Sequence, residues 1–258
     1  MKIIFATALY PPETSDVAVY VKELAKRFSD KQEIIIVAYA NISEKVKGVK
    51  LVTVAKRKLL FLRLIKYAIN LFGVSRNADI IYTQNSLAVG LPALIIGFLR
   101  NTSVIIRFTE DEAWKRAIQA RLTKKRLGEF LDKPDVNNLK IRLIRRAQGF
   151  ILRRARTVIT PSAYLREVLI RAYHLQKERV IVNYNPAKKA EILPFPATKI
   201  PQQIIAVVDE KNQAEEIIGA IALLKKEFSN IRLIVAENDL EEKKNKRMRA
   251  KILCHRSR

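Results

Sequence analysis

Several groups of side chains in this sequence have types and spacing that could do chemistry. Glu110, Asp111 and Glu112 stand in a row ahead of Ala113-Trp114, and acids in such a row are favoured at a helix N-terminus by the helix dipole. Ser15 and Asp16 follow Tyr10-Pro11-Pro12-Glu13 and precede an apolar-periodic run. Both are helix-capping types, and Asp16 would set its carboxylate on the free N–H groups and repel a second anion there. Lys56-Arg57-Lys58, Arg63 and Lys66 surround an apolar body that contains no acid through Ile69. That mixture suits a helix lying on anionic lipid and equally a core helix with a solvated basic edge. Leu139 to Arg156, with Lys140, Arg142, Arg145, Arg146, Arg153, Arg154 and Arg156, reads as a second basic helix. If the two faces align, a membrane-facing patch becomes the better reading.

Metal chemistry finds no support. His174 has no second histidine or cysteine nearby and reads as a surface residue, while His255 sits in the basic tail. Cys254 is the single cysteine, so neither a disulfide within the chain nor a Cys-rich zinc site is expected, and a reducing, cytoplasmic setting fits. The net charge of +24 is concentrated in Lys56–Lys66, Lys115–Arg179 and Lys243–Arg258, whereas residues 1–55 are nearly balanced. Such a field attracts nucleic acid, anionic lipid or phosphorylated substrates alike. Nucleic-acid binding would favour aromatics interleaved with the cations, and the Arg-rich stretch from Leu139 offers only Phe150, so that reading is disfavoured.

The elements that must position these residues alternate between strand and helix. Ile3–Ala8, Glu33–Ala38, Asp79–Thr83, Val104–Phe108, Thr157–Thr160 and Arg179–Val182 are enriched in β-branched residues, with helical patterns between most of them. Alternation of this kind means an α/β fold, a Rossmann-like parallel sheet with helices on both faces. The first helix, from about Val17, carries Val17, Val21, Leu24 and Phe28 on one stripe. A later helix begins after Thr160-Pro161 with Ser162 as N-cap and Leu165, Val168, Leu169 and Ala172 on its buried face. The apolar stretch at the N-terminus runs straight into Pro11-Pro12, so it reads as a strand and not a signal peptide. The run Leu87–Leu99 contains Pro92 and is too short to span a bilayer, so no transmembrane helix is expected.

A Pro-rich stretch from Asn185-Pro186 to Pro201 reads as a linker. It divides the chain into residues 1–186, a linker at 187–201 and a second unit at 202–258. The second unit has strand Ile204–Val208, a helix from about Gln213 to Phe228, strand Ile231–Ala236 and a charged helix from Leu240. About two strands leave apolar faces without partners, so this second Rossmann-like β-α-β unit reads as incomplete.

Four segments together resemble the family-four glycosyltransferases of the GT-B fold. They are Tyr10–Phe28; Ala78–Asn85 with Gly90-Leu91-Pro92-Ala93; Arg107–Trp114; and Thr160–Leu165 with Asn183-Tyr184-Asn185-Pro186. The resemblance implies transfer of a sugar from a nucleotide sugar to a glycan or lipid-linked acceptor, such as a cell-envelope polysaccharide, with retention and without a metal or resident cofactor. It makes residues 1–186 the acceptor-side domain and 202–258 the start of a donor domain. Asp111 would orient an acceptor hydroxyl, and Glu13, Ser15, Asp16, Gln84, Asn85, Arg107 and Trp114 would line the acceptor cleft. For Ser15 and Asp16 simple capping is the alternative; for Trp114, a place in the core.

The resemblance is weakest on the donor side. The family carries two glycines where this chain has Ser15-Asp16, and glycine there lets the backbone approach a phosphate. Ala206-Val207 and Asn212-Gln213 stand where the family places its donor-binding cations, and Lys211 is the one nearby substitute. The family's paired glutamates would fall beyond Arg258. The expectation is therefore an impaired transferase with a truncated donor domain. The alternative is a non-catalytic relic or partner subunit that keeps an acceptor cleft, with a separate chain supplying a donor domain. Peripheral attachment to the inner face of a membrane fits the basic segment Lys56–Lys66.

Overall fold

The computed structural model describes residues 1–13, 15–41, 43–56, 60–84, 87–185, 202–208, 211–228, 230–237 and 250–252. The chain divides into two compact units, Met1–Ala187 and Lys188–Arg258.

The first unit is a parallel sheet of seven strands: β1 (Lys2–Thr7), β2 (Glu33–Tyr39), β3 (Val49–Val54), β4 (Ile80–Gln84), β5 (Ser103–Arg107), β6 (Thr157–Thr160) and β7 (Val180–Val182). They lie in the order β3-β2-β1-β4-β5-β6-β7. Every pairing is parallel. The order reverses between β1 and β4, and the crevice at the carboxyl ends of strands flanking such a reversal is where open α/β sheets place ligands. The α/β reading of the sequence holds. β3 was not foreseen: its half-exposed residues at the sheet edge keep Lys50 within the strand and weaken the apolar signal.

Strand alternation divides the core in two. Phe5, Ile34, Ile36, Ala38 and Tyr82 face α1 (Asp16–Phe28), while Ile4, Ile35, Val37, Ile81, Val104 and Ile106 face the other helices. These are α2 (Leu60–Val74), α3 (Leu87–Arg100), α4 (Glu112–Gln119), α5 (Leu127–Asp132), α6 (Leu139–Arg154) and α7 (Ala163–Tyr173). The α1 stripe is shifted from the one the sequence suggests. Ala18, Val21 and Ala25 are buried and Phe28 is exposed, because small residues let α1 approach the sheet. On the same side Ile105 and Ile159 are only partly covered and Ile181 is exposed.

α3 packs between α2 and α6. Its inward side is filled by Val89, Ala93 and Ile96, and at Gly97 the helix comes closest to the sheet. A Cβ there would lie 2.4 Å from Val104 Cγ2 and 3.0 Å from the Thr102 carbonyl, so only glycine fits without movement.

In the second unit β8 (Gln203–Val208) pairs in parallel with β9 (Arg232–Glu237), α8 (Lys211–Leu224) connects them, and β10 (Ala250–Ile252) adds an antiparallel strand to β9. The β-α-β reading holds, with one strand more than expected. The linker and the charged helix from Leu240 fall outside the described residues.

Candidate functional site

The switch point gathers side chains from four places in the chain. Tyr10, Glu13 and Ser15 stand on the loop after β1, which contains a cis Pro11-Pro12 bond. Gln84 ends β4, Arg107 ends β5, and Asn185 follows β7. Alternation puts Tyr82, Gln84 and Arg107 on the α1 side of the sheet, where Tyr20 of α1 stacks on Arg107.

Arg107 is 3% exposed, and its guanidinium lies 3.8 Å from the centre of the Tyr20 ring. It donates to the side-chain carbonyl of Asn185, while Nε has no partner. Among the described residues no carboxylate forms an ion pair with it. A buried cation is ordinarily paired, because taking a charge out of water costs several kcal/mol, on the order of the energy of a good ion pair. Gln84 is 2% exposed, and neither its amide oxygen nor its amide nitrogen has a partner among the described residues. Thr83 Oγ1, which alternation turns to the opposite face of the sheet, is a separate unpaired group among the described residues. Most buried polar groups in proteins are hydrogen-bonded, so the paired exceptions Gln84 and Arg107 at a switch point mark a place built for something else.

The other expected residues of the loop are differently engaged. Glu13 forms an ion pair with Lys56, so the acid foreseen for acceptor contact and the first cation foreseen for a membrane face neutralise each other. Ser15, and not Asp16, is the N-cap of α1: its Oγ accepts from Ala18 N at 3.1 Å, and Asp16 begins the helix. The Asp16 side chain and Asn85 lie outside the described residues, as do Arg57, Lys58 and the Lys211 side chain. Arg63 turns inward, 5.1 Å from the centre of the Tyr39 ring, and is not on the outer face of α2. Of the described cations in that segment, Lys66 alone is exposed.

Asp111 stands apart from the crevice residues as a fully buried cross-link. One carboxylate oxygen accepts from Trp114 N at 2.8 Å and caps α4. The other accepts from Gln148 Nε2 at 2.7 Å and from the Tyr173 hydroxyl. Burial raises its pKa above the ordinary carboxylate value, and the Tyr173 hydrogen bond opposes that rise. With no exposed surface, the carboxylate cannot touch an acceptor in this conformation. Its neighbour Glu112 accepts from Leu87 N at 2.8 Å and so caps α3. The indole of Trp114 donates to the Lys125 carbonyl at 2.9 Å, and its ring packs at the margin of the core. Neither Gln148 nor Tyr173 was singled out from sequence, since nothing local marks a partner contributed by a distant helix. His174 is the exposed left-handed cap of α7, and no cluster of potential metal ligands occurs among the described residues.

Comparison with known proteins bears on the family and the fold. A family model described as a glycosyl transferase 4-like domain matches residues 17–186. No curated protein matches the chain by sequence. Among solved structures, HepE from Anabaena in complex with UDP is similar with a TM-score of 0.55 at 12% identity, covering 93% of this chain and 70% of that one. Sucrose-phosphate synthase from Thermosynechococcus elongatus is similar with a TM-score of 0.61 at 12% identity, covering 91% and 62%. UDP-GlcNAc 2-epimerase from Neisseria meningitidis, bound to UDP-GlcNAc, gives 0.50 at 12%, covering 92% and 66%. At such identities the likeness is one of fold, and the chain spans only part of each of these proteins.

Proposed function

We propose that this chain, which belongs to the glycosyl transferase 4-like domain family, uses unit Met1–Ala187 as the acceptor-side half of a sugar transferase. Gln84 and Arg107 carry the reading: two buried polar side chains at the carboxyl ends of adjacent strands, with amide and guanidinium atoms unpaired. A sugar hydroxyl both donates and accepts, so one or two of them would satisfy the Gln84 amide. An uncompensated guanidinium calls for an anion, and Asn185 now holds one of its N–H groups with a neutral carbonyl. The acceptor chemistry that fits is a glycan bearing a phosphate or carboxylate, including a lipid-linked one.

The donor is a nucleotide sugar, with UDP the first nucleotide to test, since UDP is bound by the similar Anabaena structure. The transition state for retaining transfer builds negative charge on the leaving diphosphate, so catalysis depends on preorganised cations and helix N-termini. In this chain Lys211 is the cation available by resemblance, at the start of α8. Glu13 with Lys56 and the Ser15 cap fix the loop beside the crevice. Asp111 and Trp114 are positioning residues, which hold the segment leading out of β5.

The test is to incubate the purified chain with UDP-sugars and short phosphorylated glycans and to follow transfer by mass spectrometry. Saturation-transfer NMR with the acceptor alone runs in parallel. Transfer that is lost in Gln84→Ala supports the transferase. Acceptor binding lost in Gln84→Ala, without transfer by the wild-type chain, supports the second reading, a binding subunit. That reading is favoured by Ala206-Val207, which leaves the end of β8 without a cation. Absence of any Gln84-dependent binding overturns both.

A further inference from the structure

The outer face of α2, α3 and α6 has the composition of a surface made for something other than water. These helices of 15, 14 and 16 residues contain no Asp or Glu. α3 has no polar side chain at all before Arg100. Their outward residues include Ile69 and Phe72 on α2, Ile95 and Phe98 on α3, and Leu143 and Phe150 on α6, with Phe98 86% exposed. Scattered apolar residues on a surface need no explanation, but a patch continuous over three packed helices does. Between α3 and α6 it deepens into a groove of about 850 Å³, lined by Leu94 and Phe98 together with Arg154, Arg156 and Arg179.

The cations are arranged around this apolar field. Arg100 lies 3.8 Å from the centre of the Phe72 ring, and Arg154 lies 5.5 Å from that of Phe150, each with its guanidinium beside an exposed aromatic. On α6 the apolar strip Leu139-Leu143-Phe150 is flanked by Arg142, Arg146 and Arg153 on one side and by Arg154 on the other. This is the layout of an interfacial helix, apolar in the middle with long basic side chains reaching to the headgroups.

We propose that this face docks on a bilayer containing anionic lipid, with α3 as the element that enters the acyl boundary. The inference does not depend on the transferase reading. Charge decides among occupants. A second copy of the chain would set the same cationic rim against itself. Nucleic acid would meet the cations but would leave Ile69, Ile95 and Leu143 without a partner. A bilayer with anionic headgroups supplies the apolar depth and the negative charge together. The face differs from the one legible in the sequence, because Lys56 and Arg63 turn away from it while α3, an apolar run with no basic signature, lies at its centre.

Flotation of the full chain with vesicles tests the proposal. It should float with vesicles of phosphatidylcholine mixed with phosphatidylglycerol and stay behind with phosphatidylcholine alone. The double variant Ile95→Ser, Phe98→Ser removes two outward side chains and should lower the vesicle-bound fraction at least about tenfold, with the melting temperature unchanged. Arg154→Gln with Arg156→Gln should raise the phosphatidylglycerol fraction needed for half-maximal binding. Failure to float, or flotation indifferent to the double serine variant, overturns it. So does either competing outcome: a concentration-dependent dimer abolished by the double serine variant, or oligonucleotide binding stronger than vesicle binding and insensitive to that variant.

Discussion

The hydroxyl of Tyr173 on α7 donates to the carboxylate of Asp111 at the start of α4, 62 residues earlier in the chain. Gln148 of α6 binds the same oxygen, so one carboxylate joins three helices beneath the end of β5. Hydrogen bonds to a charged group are worth about 1.5–3 kcal/mol. Tyr173→Phe should therefore cost about 2 kcal/mol where Asp111 is ionised. Burial raises the folded-state pKa of Asp111, so this group contributes most to stability at low pH, and that contribution is lost as pH rises through the folded pKa. Removing the Tyr173 hydroxyl raises that pKa further. The deficit of the variant should then be largest above the folded pKa of Asp111 and shrink below it, where the carboxyl holds its proton. Urea unfolding of both proteins across this range checks the sign; a deficit that grows toward acid would contradict the assignment.

Gln84→Leu should separate stability from function. The amide is buried without partners among the described residues, and an apolar side chain of similar volume relieves the cost of that burial, so stability should rise by about 1 kcal/mol. Acceptor binding should fall at least about tenfold, since the lost groups are those a sugar hydroxyl would use. Thermal melting and the NMR binding assay read the two effects on the same sample.

Gly97→Ala should cost about 2–3 kcal/mol through overpacking, because the added methyl meets Val104 at the point where α3 touches β5. Val104→Ala in the same chain should restore part of the loss. Denaturation of the single and double variants forms the cycle that tests the contact.

Ser15 offers a third kind of comparison. Ser15→Ala removes the oxygen that accepts from Ala18 and should destabilise by about 1 kcal/mol, whereas Ser15→Gly should cost only a few tenths. Ser15→Gly with Asp16→Gly also removes the acid from the start of α1. Binding of inorganic phosphate or UDP by that double variant should be tighter than by the wild-type chain, as isothermal titration would show.

The sheet was legible because strands that pack in a core read as β-branched runs, and six of the seven large-sheet strands lie where those runs lie. β3 escaped because an edge strand is half solvated. The crevice was partly legible. Gln84 and Arg107 could be named from sequence, but their unpaired atoms depend on what the rest of the chain fails to bring to them. Asp111 looked like a reactive carboxylate since sequence shows the acid and its capping position, yet hides Gln148 and Tyr173, which arrive from other helices and enclose it. Lys56 shows the same limit: a cation in a basic run was read with its neighbours, while in space its partner is Glu13.

The close seat of α3 on the sheet has a practical corollary. Val89, Ala93 and Ile96 already hold the helix in place, so Phe98 and Leu99 on its outer side add almost nothing to the cohesion of the fold. What they govern is colloidal behaviour. A net charge of +24 keeps molecules of the free protein apart in dilute buffer. Added salt screens that repulsion over a Debye length of about 8 Å at physiological strength and leaves the apolar rows free to meet. High salt, the usual remedy for a strongly basic protein, should bring this one out of solution sooner, and a mild detergent should keep it there.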